Sequence, residues 1–380
     1  MLLEFGAKNF FSFKEGFEVS LRLNNNCPDN ISKGRNCSTI SCIKGSNASG
    51  KTNVLKALSF FHFFCTQSFN LKPEDPIGME SFFKNSDPSD FFIVFEVDGI
   101  EYRYELEVDN KKIISETLYQ KQKRYTKVIE RNYNNLDITV GKYSELKIMK
   151  LRDNASLINT SKQYELKCLD SIYDFFNSIL TNVNFFGIVP LTFNVDEISK
   201  IYSSNLELFN FVVDIIKKCD LGISNIEISS RENEKGEKIF YPIFHHDLGS
   251  KQIKTLLFQN QSGGTKTLYR LLALYYIVLF KGGILVFDEF DINLHPHILP
   301  LLIDLFEDEK SNKHNGQLIF TTHNSEIMDK LGKYRTVLLN KEFNSSYAYR
   351  LDELPGDLVR NDRPITPIYN LGKIGGVPKL

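Results

Sequence analysis

The feature that most constrains this chain is a glycine-rich stretch near its N-terminus, Gly45-Ser46-Asn47-Ala48-Ser49-Gly50-Lys51-Thr52. It fits the P-loop pattern G-x-x-x-x-G-K-[ST] and lies between a β-branched run at 38–43 and a helix-like run at 52–65. The glycines let backbone N–H groups curl around an anionic phosphate, and the N-terminus of the following helix adds its dipole. The stretch therefore predicts a nucleoside triphosphate site.

Two residues of this stretch carry the expected charge and metal coordination. Lys51 is expected to reach the β- and γ-phosphates as a point charge, and the hydroxyl of Thr52 can ligate Mg²⁺. The predicted nucleotide contacts are Gly45, Ser46, Asn47, Ala48, Ser49, Gly50, Lys51, Thr52 and Asn53. These residue types do not decide between ATP and GTP.

Length and composition limit the number of domains and the cellular compartment that we expect for this chain. A length of 380 residues allows one large domain or two modest ones, and a net charge of −1 gives no global reason to expect nucleic-acid affinity. The six cysteines form no C-x-x-C pair, so we expect free thiols in a reducing cytoplasm. The N-terminus lacks the features of an export signal. The most apolar window, 268–287, is interrupted by Arg270 and Lys281 and predicts a buried helix and strand instead of a membrane span. We expect a soluble, cytoplasmic protein.

Hydrophobic periodicity outlines the rest of the chain. Alternating residues around an Asp98-Gly99 turn are typical of an antiparallel meander. The basic segment 121–127 has two interpretations, a solvated edge strand and, less favoured, a nucleic-acid contact. The elements predicted outside the motifs are strands at 2–8, 17–23, 91–97, 100–108, 113–120, 223–230 and 238–246, and helices at 162–180 and 196–218.

An apolar strand that ends in two acids follows far downstream, at 283–289. This Walker B pattern would deliver Asp288 to the Mg²⁺ shell and place Glu289 where it orients and polarises the attacking water. A second strand, 317–324, ends in His323, which we expect to hydrogen-bond the γ-phosphate. Together with Lys51, the residues Glu289 and His323 form the predicted catalytic set.

A Ser-Gly-Gly sequence opens the helix that precedes the Walker B strand. Ser262, Gly263 and Gly264 resemble the ABC signature, in which a serine side chain and glycine N–H groups bind the γ-phosphate held by a second subunit. The alternative is an ordinary helix N-cap. The segment 291–296 occupies the place of the D-loop that joins two such sites. The lid-loop glutamine has no convincing candidate, since Gln67 lies at the wrong end of its helix.

These motifs and their order, together with the segment 9–13, resemble the Rad50/SMC/RecF-type ABC ATPases, and the tail segments 360–362 and 369–378 are similar to the closing segment of one bacterial group among them. Within that group the chain is similar to bacterial AAA-family ATPases of abortive-infection and phage-defence systems, the RloA/AbiLi-like proteins related to the PARIS ATPase and to the ATPase half of OLD nucleases. The resemblance implies ATP as substrate, Mg²⁺ as cofactor and a homodimer or higher oligomer. No long coiled coil separates the P-loop from the signature, and the chain ends too soon after His323 to hold a Toprim nuclease.

The resemblance also implies a fold and a function. We expect an α/β, ABC-type P-loop ATPase head with an antiparallel β-meander subdomain and a helical insertion between Walker A and the signature. The predicted single domain, 1–380, divides into a Walker A lobe (1–89), the meander (90–150), the helical insertion (151–222) and a signature, Walker B and switch-histidine lobe (223–380).

Three functions are compatible with these motifs. The first is an ATPase that senses infection or nucleic acid and controls a separately encoded toxic effector, of the nuclease type, in anti-phage defence. The second is a RecF-like DNA-binding clamp in recombination repair, and DNA or RNA contact is possible in either case. The third, a scaffold that binds ATP without hydrolysing it, is disfavoured by the presence of Glu289 and His323.

Overall fold

The computed structural model describes residues 1–189, 193–249 and 252–377. Its strands are β1 (Leu2–Lys8), β2 (Phe17–Ser20), β3 (Ile40–Gly45), β4 (Ser89–Val97), β5 (Ile100–Val108), β6 (Ile113–Lys121), β7 (Tyr125–Asn132), β8 (Asn135–Thr139), β9 (Ile179–Thr181), β10 (Val183–Asn184), β11 (Gly187–Ile188), β12 (Ile223–Glu232), β13 (Lys238–Asp247), β14 (Ile253–Leu257), β15 (Ile284–Phe287), β16 (Gln317–Thr321), β17 (Thr336–Glu342) and β18 (Ser345–Arg350). Its α-helices are α1 (Asp29–Ser32), α2 (Lys51–Gln67), α3 (Leu157–Gln163), α4 (Asp170–Asn177), α5 (Val195–Ser204), α6 (Leu206–Cys219), α7 (Gly263–Lys281), α8 (Leu299–Glu307), α9 (Ile327–Leu331) and α10 (Thr366–Asn370).

A six-stranded sheet in the order β18-β17-β3-β16-β15-β9 forms the centre of the molecule. All of its neighbouring pairs are parallel except β17 with β18. Every residue of β3, β15 and β16 is buried, as expected for parallel strands covered on both faces. The sheet therefore brings the carboxyl ends of β3, β16 and β15, which carry the sequence motifs, to one edge.

A seven-stranded antiparallel sheet in the order β2-β1-β4-β5-β6-β7-β8 lies beside this centre. It contains the predicted meander with its Asp98-Gly99 turn, and β1 extends the meander by pairing Phe5 with Ile93 of β4. The predicted boundary between residues 89 and 90 falls inside β4, and the four-part division of the chain stays a prediction.

The helix α2 packs into the core that the two sheets share. Its buried residues include Phe60, Phe61 and Phe64, and the Phe60 ring stacks on Phe91 of β4 with centroids 4.5 Å apart. A second hydrophobic core covers the other face of the central sheet, where α6, α7 and α8 bury their apolar residues. The P-loop helix thus packs between aromatic rings of the antiparallel sheet and aliphatic residues of the central sheet such as Val286 and Ile319.

Several predicted elements differ from the observed ones. The helix predicted at 162–180 is divided into α3 and α4, and its last residues form β9 instead, because Ile179 and Leu180 pair with the Walker B strand β15. The helix predicted at 196–218 is two helices, since Asn205 caps the second by accepting from the Leu208 amide at 3.0 Å. By contrast, the segment 121–127 agrees with the edge-strand interpretation. It comprises the end of β6, a turn at 122–124 and the start of β7, it is largely exposed, and the register of β8 with β7 begins only at Ile129.

A three-stranded antiparallel sheet, β12-β13-β14, packs against α5 and precedes the signature segment. Two of its strands match the predictions at 223–230 and 238–246, whereas β14 was not predicted. Among the described helices, none combines the length and apolar character needed to cross a membrane.

Candidate functional site

The central sheet brings three sequence motifs to one edge. Thr321 of β16 pairs with Ile43 of β3, and Phe287 of β15 pairs with Phe320 of β16. The P-loop, the His323 segment and the Asp288-Glu289 pair therefore all follow the carboxyl ends of adjacent parallel strands. This is the edge at which open α/β sheets bind ligands.

The P-loop forms a tight backbone cradle at this edge. Gly50 has φ of 102° and caps α2, a conformation that a side chain would strain. At Gly45, an added Cβ would lie 2.5 Å from the Ser49 Oγ and 2.7 Å from the Leu339 carbonyl oxygen, so only glycine fits. The Ser49 hydroxyl is buried and has no partner in the structure. The cradle thus has the shape and the free donor that a phosphate group requires.

Lys51 lies at the base of this cradle. Its Nζ donates to the carbonyl oxygens of Gly45 and Ser46, both at 3.0 Å. Burial lowers the pKa of Lys51, and the carboxylates of Asp288 and Glu289 oppose that shift. The ammonium group is held next to the loop whose backbone would surround the phosphates.

Asp288 is buried and tied to both neighbouring motifs. Its Oδ2 accepts from the Thr52 hydroxyl at 2.5 Å, and its Oδ1 accepts from the Thr321 hydroxyl. The amide of Asn182 fixes the backbone on both sides of it, since Asn182 accepts from the Asp288 N–H at 2.7 Å and donates to its carbonyl oxygen at 3.0 Å. The two predicted Mg²⁺ ligands are therefore adjacent and firmly positioned.

Glu289 and His323 face each other across the same edge. The His323 Nε2 lies 4.0 Å from the Glu289 Oε1, and the two side chains are 51% and 37% exposed. Glu289 has φ of 53°, and its amide donates to the Thr321 hydroxyl at 2.8 Å, while the His323 amide donates to the Asp291 carboxylate at 3.2 Å. Both side chains are thus open to a ligand while their backbones are held.

The predicted signature residues lie away from the P-loop, at the N-terminus of α7. The Ser262 Oγ caps α7 by accepting from the Thr265 amide at 3.1 Å, which also satisfies the N-cap alternative. A Cβ at Gly264 would lie 3.2 Å from the Asn293 carbonyl oxygen, so this segment borders the D-loop position. Within the described residues, no hydrogen bond joins Ser262, Gly263 or Gly264 to the P-loop.

Several residues of the site were not predicted. Asn182 follows β9, a three-residue strand in a stretch with a helical pattern, so no local signal marks it. Lys44, in β3 before the P-loop, is buried and donates to the carbonyl oxygen of His323 at 2.9 Å, and burial lowers its pKa. Gln67 ends α2, about 24 Å from Lys51 at 1.5 Å per residue, and is therefore no part of this site.

The residues present fit both ATP and Mg²⁺. The Thr52 hydroxyl and the Asp288 carboxylate are oxygen ligands of the kind that Mg²⁺ prefers, and they already touch. Lys51 and the glycine cradle match the charge and shape of a triphosphate.

Solved structures of similar fold include the Smc head bound to the C-winged helix domain of ScpA. It is 15% identical with a TM-score of 0.50, and the match covers 93% of this chain and 98% of that chain. The SMC head domain from Thermotoga maritima is 17% identical with a TM-score of 0.47, covering 92% and 98%. No curated protein matches the chain.

The α/β fold is similar to that of this Smc head, which confirms the predicted fold class. Residues 40–329, more than half of the chain, match the family described as "AAA domain, putative AbiEii toxin, Type IV TA system". The chain belongs to this AAA family.

Proposed function

We propose that this protein binds ATP at residues 45–53 and hydrolyses it with Mg²⁺ held by Thr52 and Asp288. The observation that carries the proposal is the 2.5 Å hydrogen bond between the Thr52 hydroxyl and the Asp288 carboxylate, next to a lysine seated in the P-loop. A P-loop that resembled the pattern by chance would not meet a Walker B carboxylate 236 positions away in the sequence.

In this proposal, Glu289 and His323 act on the water and the phosphate. Glu289 orients the water and accepts its proton, and its half-exposed carboxylate leaves room for that water. His323 donates to the γ-phosphate, and its position is set by Asp291 and by Lys44, which hold the backbone of its loop. Bound Mg²⁺ would supply neutralisation of the charge that develops on the phosphate oxygens.

We further propose that two copies complete the site. Ser262 and the N–H groups of Gly263 and Gly264 lie at the exposed N-terminus of the long helix α7, which favours an anion. Since no hydrogen bond among the described residues joins them to the P-loop of their own chain, they would serve the γ-phosphate of a second copy. The resulting dimer is twofold symmetric, with both sites at the shared interface.

Two variants separate nucleotide binding from dimer formation. Lys51→Ala should abolish binding of a fluorescent ATP analogue because the phosphate loses its buried cation. Ser262→Arg should bind the analogue normally as a monomer and fail to dimerise, measured by analytical ultracentrifugation with ATP. Unchanged affinity in the first variant, or a normal ATP-induced dimer in the second, would contradict the corresponding assignment.

The biological role proposed here is control of a separately encoded toxic effector, of the nuclease type, in anti-phage defence. Support comes from the family, whose description names a toxin–antitoxin system, and from the sequence resemblance to phage-defence ATPases. A head of similar fold is bound to a domain of another protein, ScpA, so such heads can carry a partner.

Co-purification tests this role. The chain carrying Glu289→Gln and a tag should be expressed with its neighbouring genes and isolated in the presence of ATP and Mg²⁺. A stoichiometric partner whose toxicity depends on the ATP state of this chain is the expected result. A dimer that carries DNA and no protein partner would contradict the effector role and favour the repair clamp.

A further inference from the structure

The sheet edge that carries the P-loop, Asp288-Glu289 and His323 is called the nucleotide edge below, after the proposed function. One side chain at this edge is both fully exposed and held in an unfavourable backbone conformation. Phe343 is 101% exposed and forms, with Asn344, the two-residue turn between β17 and β18. Their φ angles are 46° and 65°, as in a type I′ turn, which favours Asn and Gly and strains a bulky residue. An isolated exposed apolar residue needs no explanation, and Phe83 has the same combination of exposure and positive φ, so it is the position of Phe343 beside the P-loop that distinguishes it.

The hairpin that carries Phe343 projects past the P-loop. Leu339 of β17 pairs with Gly45, the last residue of β3, and the strand continues in the same direction to Glu342. Three further residues extend it about 10 Å beyond the end of β3. The hairpin is fixed there because the Ser346 amide donates to the Ser12 carbonyl oxygen at 2.7 Å.

A depression of about 520 Å³ lies beside the signature serine. Its wall combines Leu221, Leu268, Ile298 and Cys219 with polar residues such as Asp220, next to Ser262. Leu221 is 93% exposed at its rim. The depression is large enough to take an aromatic ring, which gains most from burial of its apolar surface.

We infer that Phe343 of each copy enters the depression beside Ser262 of the second copy when the ATP-bound dimer closes. The inference rests on the proposed composite site, in which Ser262 of one copy faces the P-loop of the other. Since Phe343 lies beyond that P-loop and the depression borders that serine, closure brings the two features to the same interface. The twofold axis makes the contact twice.

The contact has a regulatory consequence. Two rings buried on closure add apolar contact to a dimer that would otherwise depend on nucleotide alone, so they set how long it persists after hydrolysis. Their removal changes the lifetime of the dimer and not the affinity of a single copy for ATP.

The test compares two phenylalanines on a Glu289→Gln background with ATP and Mg²⁺. Phe343→Asn should raise the dimer dissociation constant at least about tenfold, measured by analytical ultracentrifugation, because burial of a large apolar side chain is lost. Asn is favoured in this turn, so the monomer should remain folded. Phe83→Asn is the matched control: Phe83 is 71% exposed with φ of 48°, but it lies in the loop after α2, and its variant should dimerise like the parent.

Cross-linking adds a positional readout. Phe343→Cys should give a covalent dimer with a short bismaleimide in the presence of ATP, through the native Cys219 of the second copy. Adding Cys219→Ser should abolish that product.

The outcomes are distinguishable. Normal dimerisation of Phe343→Asn, or cross-linking of Phe343→Cys that is independent of Cys219, would overturn the inference and leave the composite dimer intact. A parent that binds ATP but never dimerises would overturn the composite dimer and this inference with it.

Discussion

Two pairs of ionisable side chains in this molecule differ in burial and in the number of hydrogen-bond partners that their own chain supplies. In the antiparallel sheet, Arg131 and Glu116 are 0% and 1% exposed and form a salt bridge of 3.1 Å. At the nucleotide edge, His323 and Glu289 are half-exposed and 4.0 Å apart. The first pair is saturated by its own chain, and the second is not.

The partners of the buried pair explain the difference. Glu116 also accepts from the Tyr104 hydroxyl at 2.7 Å and from the Leu157 amide at 2.8 Å, and Arg131 donates to the Ala155 carbonyl oxygen at 2.9 Å. Such a closed network ties β6 and β7 to the segment before α3. A buried ion pair requires this saturation, whereas a site that binds a charged ligand must leave donors and acceptors free.

The largest effect is expected from Glu289→Gln. Loss of the carboxylate should lower ATP turnover by about 10²- to 10⁴-fold, the usual contribution of a general base, while ATP binding and thermal stability change little. Steady-state phosphate release and a thermal melt measure the two quantities. Glu326→Gln, an exposed glutamate three residues beyond His323, is the matched control and should turn over normally. Turnover at the parental rate in Glu289→Gln would remove its catalytic role.

Arg131→Met is expected to lower folding stability and to leave ATP binding unchanged, whereas Glu289→Gln lowers turnover and leaves stability unchanged. Removing one partner of a buried pair leaves a buried carboxylate, so the free energy of unfolding should fall by about 3–5 kcal/mol, with ATP affinity unchanged in the folded fraction. Urea denaturation measures the loss. Arg103→Met, which breaks the more exposed pair of Arg103 with Glu105 in the same sheet, should cost less than about 1 kcal/mol. Equal losses in both variants would refute the distinction between the pairs.

The Arg131→Met loss should also depend on pH. Burial raises the pKa of Glu116 above its ordinary value of 4.5 even beside Arg131, and removal of the cation raises it further. The folded variant then binds a proton that the unfolded chain releases. That contribution is complete below pH 4.5 and is lost as the pH rises through the raised pKa, so the destabilisation should be smaller at pH 5 than at pH 8.

The sequence predicted the nucleotide edge better than the buried network because the edge is built from contiguous patterns. The P-loop, the acids after β15 and the histidine after β16 each follow a buried strand, and parallel strands bring their ends together. Glu116 and Arg131 lie in strands with ordinary alternation, and their pairing depends on the register of β6 with β7. That register is set by the turn and by the buried face of the two strands, and it shifts between Leu118 and Tyr119, so no contiguous motif marks the pair.

The same limit applies to Asn182. It lies at the nucleotide edge, but its position, like that of Glu116 and Arg131, depends on strand pairing and not on a contiguous motif. It follows a strand of only three residues whose identity depends on pairing with β15. The preceding helical period continues up to that strand, so the periodicity predicts one long helix. A strand this short is specified by its neighbour in space and not by its own residues.

Asn182→Ala should therefore affect both folding stability and ATP hydrolysis, with effects smaller than those of Arg131→Met and Glu289→Gln. It removes both hydrogen bonds to the Asp288 backbone, which we expect to cost about 1–3 kcal/mol of folding free energy and to weaken the Mg²⁺ dependence of ATP hydrolysis. The readout is the Mg²⁺ concentration for half-maximal turnover, together with a urea melt. Asn184→Ala, which removes a side-chain oxygen that accepts from the Phe186 amide at 2.8 Å, should change neither. A loss of stability with an unaltered Mg²⁺ requirement would contradict the positioning role.

The smallest effect is expected from Tyr104→Phe, which removes one hydrogen bond from the buried network and keeps its shape. Glu116 retains Arg131 and the Leu157 amide, so the unfolding free energy should fall by only about 1 kcal/mol. Combining it with Arg131→Met in a double-mutant cycle measures their coupling. We expect the Tyr104 hydroxyl to matter more once Arg131 is absent, because it then becomes a main partner of the buried carboxyl. Strict additivity would mean that the network acts as independent pairs, and the contrast with the open pair of Glu289 and His323 would then rest on burial alone.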